Sequence, residues 1–585
     1  MTADIAARAP ANADEQAGGE PCGLAPHAWI SKFGADITSP SGAQDALPMS
    51  GGLRGMVFAA KDNIDAAGLP TTAACPAFAY TPAANATVVQ KLLDAGATLV
   101  GKTNLDQFAC GLNGTRSPYG AVPNAINPTY VSGGSSSGSA YVVATGQVDF
   151  ALGTDTAGSG RVPAGLNNIV GIKPSRGLIS ARGVLPAAQS VDCVSIVART
   201  VGVAVQVLEA ASGYDPLDPF SRQLVLQAEP YPVDFRFGVP SSLEFYGDEA
   251  SSVAFDAAVK ALQALGGTPV AIDFTPLAQA GNLLYESALV AERYTAIRPF
   301  FDVHSADVIE PVRSIIAAGR DYSAADLFEA QTKLKMLGQQ AEAMWDVIDV
   351  LLVPTAPTHY TVDEMQKDPV VLNRNLGAYT NFVNLLDYAA ISVPSCLRPD
   401  GLPFGITLIG RCSSDLQLAD LGQRYHHSTG LTQGATGQPL PAMQQISGLA
   451  PKPTVSVAVV GAHLSGMPLN SQLTSRGATL VAVTCTAPHY RLYALPNVTP
   501  PKPGLLRVAD GTGECIEIEI WTMPLSEYGS FVSLIPYPLG IGTLALASGS
   551  VQGFVCEPLA LQGAQDISHL RGWRAYIASL TPGKA

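Results

Sequence analysis

Short apolar runs alternate with helix-spaced apolar residues along the first two-thirds of the chain. Gly55–Ala60 predicts a strand ending at Lys61-Asp-Asn-Ile, and Thr87–Gly96 has helical spacing stopped by a glycine. Ala97–Gly101 predicts the next strand, completing a strand–helix–strand unit of the kind that builds layered α/β domains. The pattern repeats with strands at Phe235–Pro240 and Thr268–Asp273 around a helix over Ser252–Gly266. Residues 276–342 read as mainly helical, and Val347–Pro354 as a strand buried on both faces. A helix and two strands fill 374–410, and Asp415–His427 reads as a closing helix. Residues 431–454 turn to Gly, Ser, Thr and Pro and read as a linker. Beyond it strands dominate: Val455–Ala462, Ala478–Thr486, Ile516–Ile520, Phe531–Ile535 and Val551–Cys556, with a last helix near Asp566–Ser579. The expected organisation is a mobile tail over 1–25, a catalytic domain over 26–430, the linker over 431–454 and a small α+β domain over 455–585.

Composition narrows the function classes. The 585 residues are 47% apolar and only 14% charged, with a net charge of −14 and no Lys/Arg cluster. That argues against a nucleic-acid or anionic-membrane surface and leaves a small anionic substrate open. No apolar run reaches the length of a membrane-spanning helix, and the acidic first twenty residues hold no signal-like apolar core. The nine cysteines lack ligand spacing, so a reducing cytoplasm is expected, with no metal site and no cofactor.

The candidate chemistry lies in Ser132–Pro163. Two glycine/serine loops bracket Ala140–Leu152, which is apolar enough for a core. A flexible linker has no reason to pass through a core. Glycines around serines let backbone N–H groups face a developing oxyanion, so the stretch reads as a nucleophile site needing a base. No histidine lies between His27 and His304. The nearer candidate is Lys61, either a solvated loop lysine or a buried base whose pKa has fallen.

Five motifs occur in order: Lys61-Asp-Asn, Gly101-Lys-Thr-Asn104, Gly133-Gly-Ser-Ser-Ser-Gly-Ser-Ala140, Gly153-Thr-Asp-Thr-Ala-Gly-Ser-Gly-Arg161 and Gly171-Ile-Lys-Pro-Ser-Arg-Gly177. Over residues 50–430 the chain resembles the amidase signature family. The resemblance implies a mixed, mostly parallel sheet covered by helices. It also implies a Ser–cis-Ser–Lys triad with Ser159 as nucleophile, Ser135 as bridge behind a cis peptide, and Lys61 as base. Backbone N–H groups of Thr156, Ala157, Gly158 and Ser159 are then the oxyanion-hole candidates, and Asp155 and Arg161 hold the loop. Two positions depart from the family pattern: Ala157 where glycine is usual, and Gly160 where an apolar residue is usual.

Two further features address the substrate. Tyr285 and Arg293 are eight apart on a helical stretch, about 80° around a helix, and read either as a packed tyrosine with a surface arginine or as a carboxylate clamp. The stretches Gly461–Asn470, His489–Tyr493, Met523–Val532 and Gly553–Glu557 resemble the C-terminal domain of allophanate hydrolases, itself similar to γ-glutamylcyclotransferases. This implies allophanate as substrate, a functional link to a biotin-dependent urea carboxylase, a homodimer, and His489 as a base for a second, decarboxylating step. Left open are an amidase of other specificity, an ammonia-supplying component of an amidotransferase, and a tail domain that only binds or assembles.

Overall fold

The computed structural model describes residues 27–33, 52–450, 453–496 and 501–580. The tail expected over 1–25 lies outside them. Two compact units divide between Leu449 and Ala450.

The first unit is organised on an eleven-stranded sheet. Its strands are β1 (Trp29–Lys32), β2 (Val57–Lys61), β3 (Thr98–Thr103), β4 (Phe150–Asp155), β5 (Val170–Lys173), β6 (Cys193–Ala198), β7 (Arg236–Pro240), β8 (Thr268–Ile272), β9 (Val350–Pro354), β10 (Ala389–Leu397) and β11 (Pro403–Gly410). They lie in the order β1-β3-β2-β4-β6-β5-β10-β11-β9-β7-β8. The sheet is mixed, as expected, but it is not mostly parallel. Four pairings are parallel (β2 with β3 and β4, β7 with β8 and β9) and six are antiparallel. The parallel pairs come from the strand–helix–strand units at each side, while β10 and β11 form a hairpin-connected antiparallel centre that their apolar runs could not announce.

Central strands alternate between two buried layers because successive side chains point to opposite faces. Phe58 and Ala60 of β2, Phe150 and Leu152 of β4, and Ile196 of β6 enter one core with the helices Thr87–Asp94, Val201–Ala211, Glu249–Ala264 and Asp415–Ser428. Ala59, Ala151 and Val197 enter another with the helix Ser137–Ala144. Phe58 and Phe150 are register partners and stack at 5.2 Å. Ala140–Leu152 therefore does run through the interior, as a helix and a strand. Residues 431–449, expected as linker, have no regular structure but are tied to the first unit. Asn168 donates to the carbonyls of Thr432 and Gly434, and Ile446 and Leu449 join the main core.

The second unit holds a five-stranded sheet (Thr454–Val459, Thr479–Cys485, Glu517–Pro524, Leu539–Ala545, Ser550–Cys556) and a three-stranded one (Tyr490–Ala494, Pro503–Arg507, Gln565–Asp566). The strand expected at Phe531–Ile535 is absent; Leu525–Val532 is a helix, followed by a turn. Tyr528, Phe531 and Ile535 recur at helical spacing and share the core of this unit. The last helix is Trp573–Leu580, shorter than expected, because Arg571 adopts a left-handed conformation (φ 57°) and breaks the segment.

Candidate active site

Lys61 ends β2, which lies between two parallel neighbours, so the side chain emerges where open sheets assemble sites. It is fully buried, and its ammonium nitrogen donates to Ser135 Oγ and Thr154 Oγ1, each at 2.7 Å. Burial pulls its pKa down to about 7; Asp106, Asp192 and Asp155 oppose that fall, and Arg293 deepens it. The solvated-lysine reading is thereby excluded.

Ser135 follows a cis peptide from Gly134. The carboxylate of Asp106 fills the space a side chain at Gly134 would need, and it accepts the N–H groups of Asn113, Gly114 and Arg116. The Ser135 carbonyl accepts from Asp106 N at 3.2 Å, so the serine loop is pinned from both sides. Ser136 and Ser139 donate to the carbonyls of Thr154 and Leu152, and Ser137 to that of Asn104, as structural residues.

Ser159 sits on the turn after β4. Asp155 organises that turn: its carboxylate accepts the N–H groups of Gly158 (2.9 Å) and Gly160 (3.1 Å) and the Arg161 guanidinium at 3.0 and 2.9 Å. The pair is fully buried, and Arg161 also reaches the Thr380 carbonyl and the Asn384 side chain. The Ser159 hydroxyl donates to the Gly111 carbonyl at 3.4 Å, while Ser136 N donates to the Ser159 carbonyl, so the two serine loops are neighbours.

Because the Gly158 N–H is held by Asp155, it is not free for an oxyanion. Gly158 instead supplies the turn, at φ 129°. Among the described residues no acceptor engages the N–H of Thr156, Ala157 or Ser159. The two departures from the family pattern also have local reasons. Ala157 is buried against Ala188, Val191 and Leu284. A side chain at Gly160 would collide with Ser195, whose Cβ lies 2.5 Å from the position it would take.

Tyr285 and Arg293 do not share one helix. Tyr285 lies in the last turn of Thr275–Glu286, the chain extends at Ser287 (φ −143°, ψ 177°), and Arg293 lies in the first turn of Ala291–His304. They nevertheless meet. Arg293 Nη2 lies 3.3 Å from the Tyr285 hydroxyl, and its guanidinium carbon is 5.2 Å from the ring centroid. Arg293 is only 4% exposed, and among the described residues its Nε and Nη1 have no hydrogen-bond partner.

Sequence reasoning missed Asp192, Thr154 and Asp106. Asp192 accepts the Thr156 hydroxyl at 2.5 Å, and burial raises its pKa to about 6. Asp192 and Asp106 lie outside the five motifs; Thr154 lies inside one, but meets Lys61 only because β2 and β4 are adjacent and parallel.

A family model described as amidase matches residues 39–419, and one described as the allophanate hydrolase C-terminal domain matches 455–578. The chain belongs to the amidase family. This amidase is 42% identical to the Kluyveromyces lactis allophanate hydrolase structure, with a TM-score of 0.71 over 95% of this chain and 94% of that one. It is 43% identical to urea amidolyase of Saccharomyces cerevisiae over 95% of its own length but only 31% of that protein's, so it spans about a third of that relative. A glutamyl-tRNA(Gln) amidotransferase component from Natronomonas pharaonis is 33% identical over 64% of the amidase chain and 95% of its own.

His489 belongs to the second unit. It precedes the strand Tyr490–Ala494, and its Nδ1 lies 3.1 Å from Asp510 Oδ1 at a partly exposed position.

Proposed function

We propose that this amidase hydrolyses the terminal amide of allophanate. The observation that carries the reading is Arg293: a buried guanidinium with two nitrogen groups unpartnered among the described residues, beside the Tyr285 hydroxyl and close enough to depress the Lys61 pKa. A buried cation with open donors is best satisfied by a small carboxylate. Likeness to the Kluyveromyces lactis allophanate hydrolase across both units supports the same substrate, whereas likeness to the amidotransferase component covers 64% of the chain.

In this reading neutral Lys61 takes a proton from Ser135, Ser135 takes one from Ser159, and Ser159 Oγ attacks the terminal carbonyl carbon. The Ser159 hydroxyl turns from Gly111 toward Ser135 to do so. The N–H groups of Thr156, Ala157 and Ser159 receive the oxyanion. Collapse breaks the C–N bond, and the proton returns through the relay to the leaving nitrogen, which departs as ammonia. Water activated by the same relay cleaves the acyl–Ser159 ester and yields N-carboxycarbamate, which ends as carbon dioxide and a second ammonia. Arg293 and Tyr285 hold the carboxylate throughout.

The test is ammonia release from allophanate, malonamide, biuret and glutamine. Allophanate turnover well above the others is expected; glutaminase activity without allophanate turnover sinks the reading. Within the same proposal, a urea carboxylase supplies the substrate, in keeping with the relatives named urea amidolyase. The enzyme works as a homodimer in a reducing cytoplasm; none of the eight described cysteines is disulfide-bonded. His489, paired with Asp510, assists loss of carbon dioxide from N-carboxycarbamate. His489→Ala then slows release of the second ammonia but not the first, and unchanged timing of both assigns it a structural role.

A further inference from the structure

The carboxylate clamp and the oxyanion donors come from distant parts of the chain. Arg293 stands on the helix Ala291–His304, and Thr156, Ala157 and Ser159 on the turn after β4. In a substrate as short as allophanate, the carboxylate and the attacked carbonyl are separated by a fixed few ångströms. The clamp and the hole must therefore be held at a matching separation, or one of them is engaged only at the expense of the other.

One loop joins them. Over residues 185–192 it is fastened at three points, each a different part of the site. At its start, Leu185 N donates to the Asn63 carbonyl (2.8 Å) and the Asn63 side chain donates back to the Leu185 carbonyl (2.9 Å), two residues beyond Lys61. At its end, Asp192 accepts the Thr156 hydroxyl at 2.5 Å, while its other oxygen accepts Ala187 N and Ala188 N at 2.7 and 3.1 Å. Between them, Ser190 gives both its N–H (2.6 Å) and its hydroxyl (2.7 Å) to the carboxylate of Glu292, the residue before Arg293. Ala188 and Val191 pack with Ala157, Leu284 and Tyr285, so the apolar side of the loop touches hole and clamp as well.

We propose that this loop is a spacer that sets the distance between clamp and oxyanion hole, and that Glu292 and Ser190 are positioning residues that give the site its preference for a short anionic amide. A neutral amide does not use the clamp, and so does not need the spacing. The inference rests on Arg293 being the carboxylate clamp. Neither residue touches the reacting atoms; both act through Arg293.

The test compares allophanate with malonamide, a neutral substrate of similar size, in the full-length enzyme. Glu292→Ala removes the acceptor, and Ser190→Ala removes one of its two donors while keeping the N–H. The kcat/KM for allophanate is expected to fall about tenfold or more in Glu292→Ala and less in Ser190→Ala, with malonamide held within about twofold in both. Equal losses on the two substrates, or unchanged allophanate kinetics, overturn the spacer. If Glu292→Ala does not fold, Ser190→Ala decides alone by the same ratio. A wild-type enzyme that does not favour allophanate over malonamide overturns the clamp itself. A wild-type preference that survives unaltered in the variants overturns only the spacer.

Discussion

The Lys61 ammonium nitrogen donates to the Ser135 hydroxyl at 2.7 Å, with both side chains fully buried. A lysine serves as a base only when neutral, and burial has brought this one to about 7. Activity is therefore expected to rise as pH passes 7 and to level off above it. The neighbouring charges fix the direction in which variants move this limb. Asp192 favours the charged lysine, so Asp192→Asn shifts the limb to lower pH; Arg293 disfavours it, so Arg293→Ala shifts the limb to higher pH. Profiles of kcat against pH on malonamide, which has no carboxylate for the proposed clamp, check both. Coincident limbs in the three enzymes would remove Lys61 as the titrating base.

In the proposed reaction Ser159 is the nucleophile, and its loss leaves nothing to acylate. Ser159→Ala is expected to lower ammonia release at least about 10⁴-fold, and Ser135→Ala, which keeps nucleophile and base but breaks the relay, about 10²- to 10⁴-fold. Thermal unfolding of both variants should stay close to wild type, since Ser159 gives up only a 3.4 Å hydrogen bond to the Gly111 carbonyl and Lys61 keeps Thr154 as acceptor when Ser135 is lost. A Ser159→Ala enzyme that still releases ammonia would move the nucleophile elsewhere.

Asp155 and Arg161 stabilise the turn as a pair. Removing one partner strands a buried charge, so Arg161→Met is expected to cost about 3–5 kcal/mol. Arg161 also holds the Asp155 pKa below the usual carboxylate range against the pull of burial. A carboxylate depressed in the folded state stabilises above its unfolded pKa, and that contribution is lost as pH falls through the folded value. Wild type should thus lose this contribution only in acid, while Arg161→Met should be weakened already at neutral pH. Denaturant unfolding at pH 7 and pH 4 separates the two.

How much of this was legible in the sequence follows from which interactions are local. Lys61, Ser135 and Ser159 sit in glycine-rich motifs whose order along the chain is itself a signal, and the strand–helix–strand units show in apolar spacing. Asp192 and Asp106 matter because of what the fold brings to them, and a single aspartate in an ordinary stretch carries no such mark. The Tyr285/Arg293 pairing was visible as two residues eight apart, but the break at Ser287 was not, because an extended residue between helical segments leaves the apolar pattern intact. The Gly158 N–H looks like its neighbours in the sequence for a related reason: only the folded turn shows that Asp155 already holds it. Phe531–Ile535 fits a strand as well as a helix in sequence, because five apolar-rich residues are too few to separate the two periods.

Gly160 and Gly158 lie two residues apart, yet their replacements should fail for different reasons. Gly160 has φ −95°, which any residue adopts, and Ser195 stands where its side chain would go. Gly160→Ala should then lose about 1–3 kcal/mol through overpacking, and Ser195→Gly should restore stability and activity together. Gly158 has φ 129°, and a side chain there would meet Thr380, with its Cβ at 2.7 Å. Shortening Thr380 relieves the collision but not the backbone conformation, so Gly158→Ala with Thr380→Gly should remain impaired. Melting temperature and ammonia release for the two double variants make the comparison. Rescue at 158 would mean that space alone, and not the left-handed turn, keeps glycine beside Ser159.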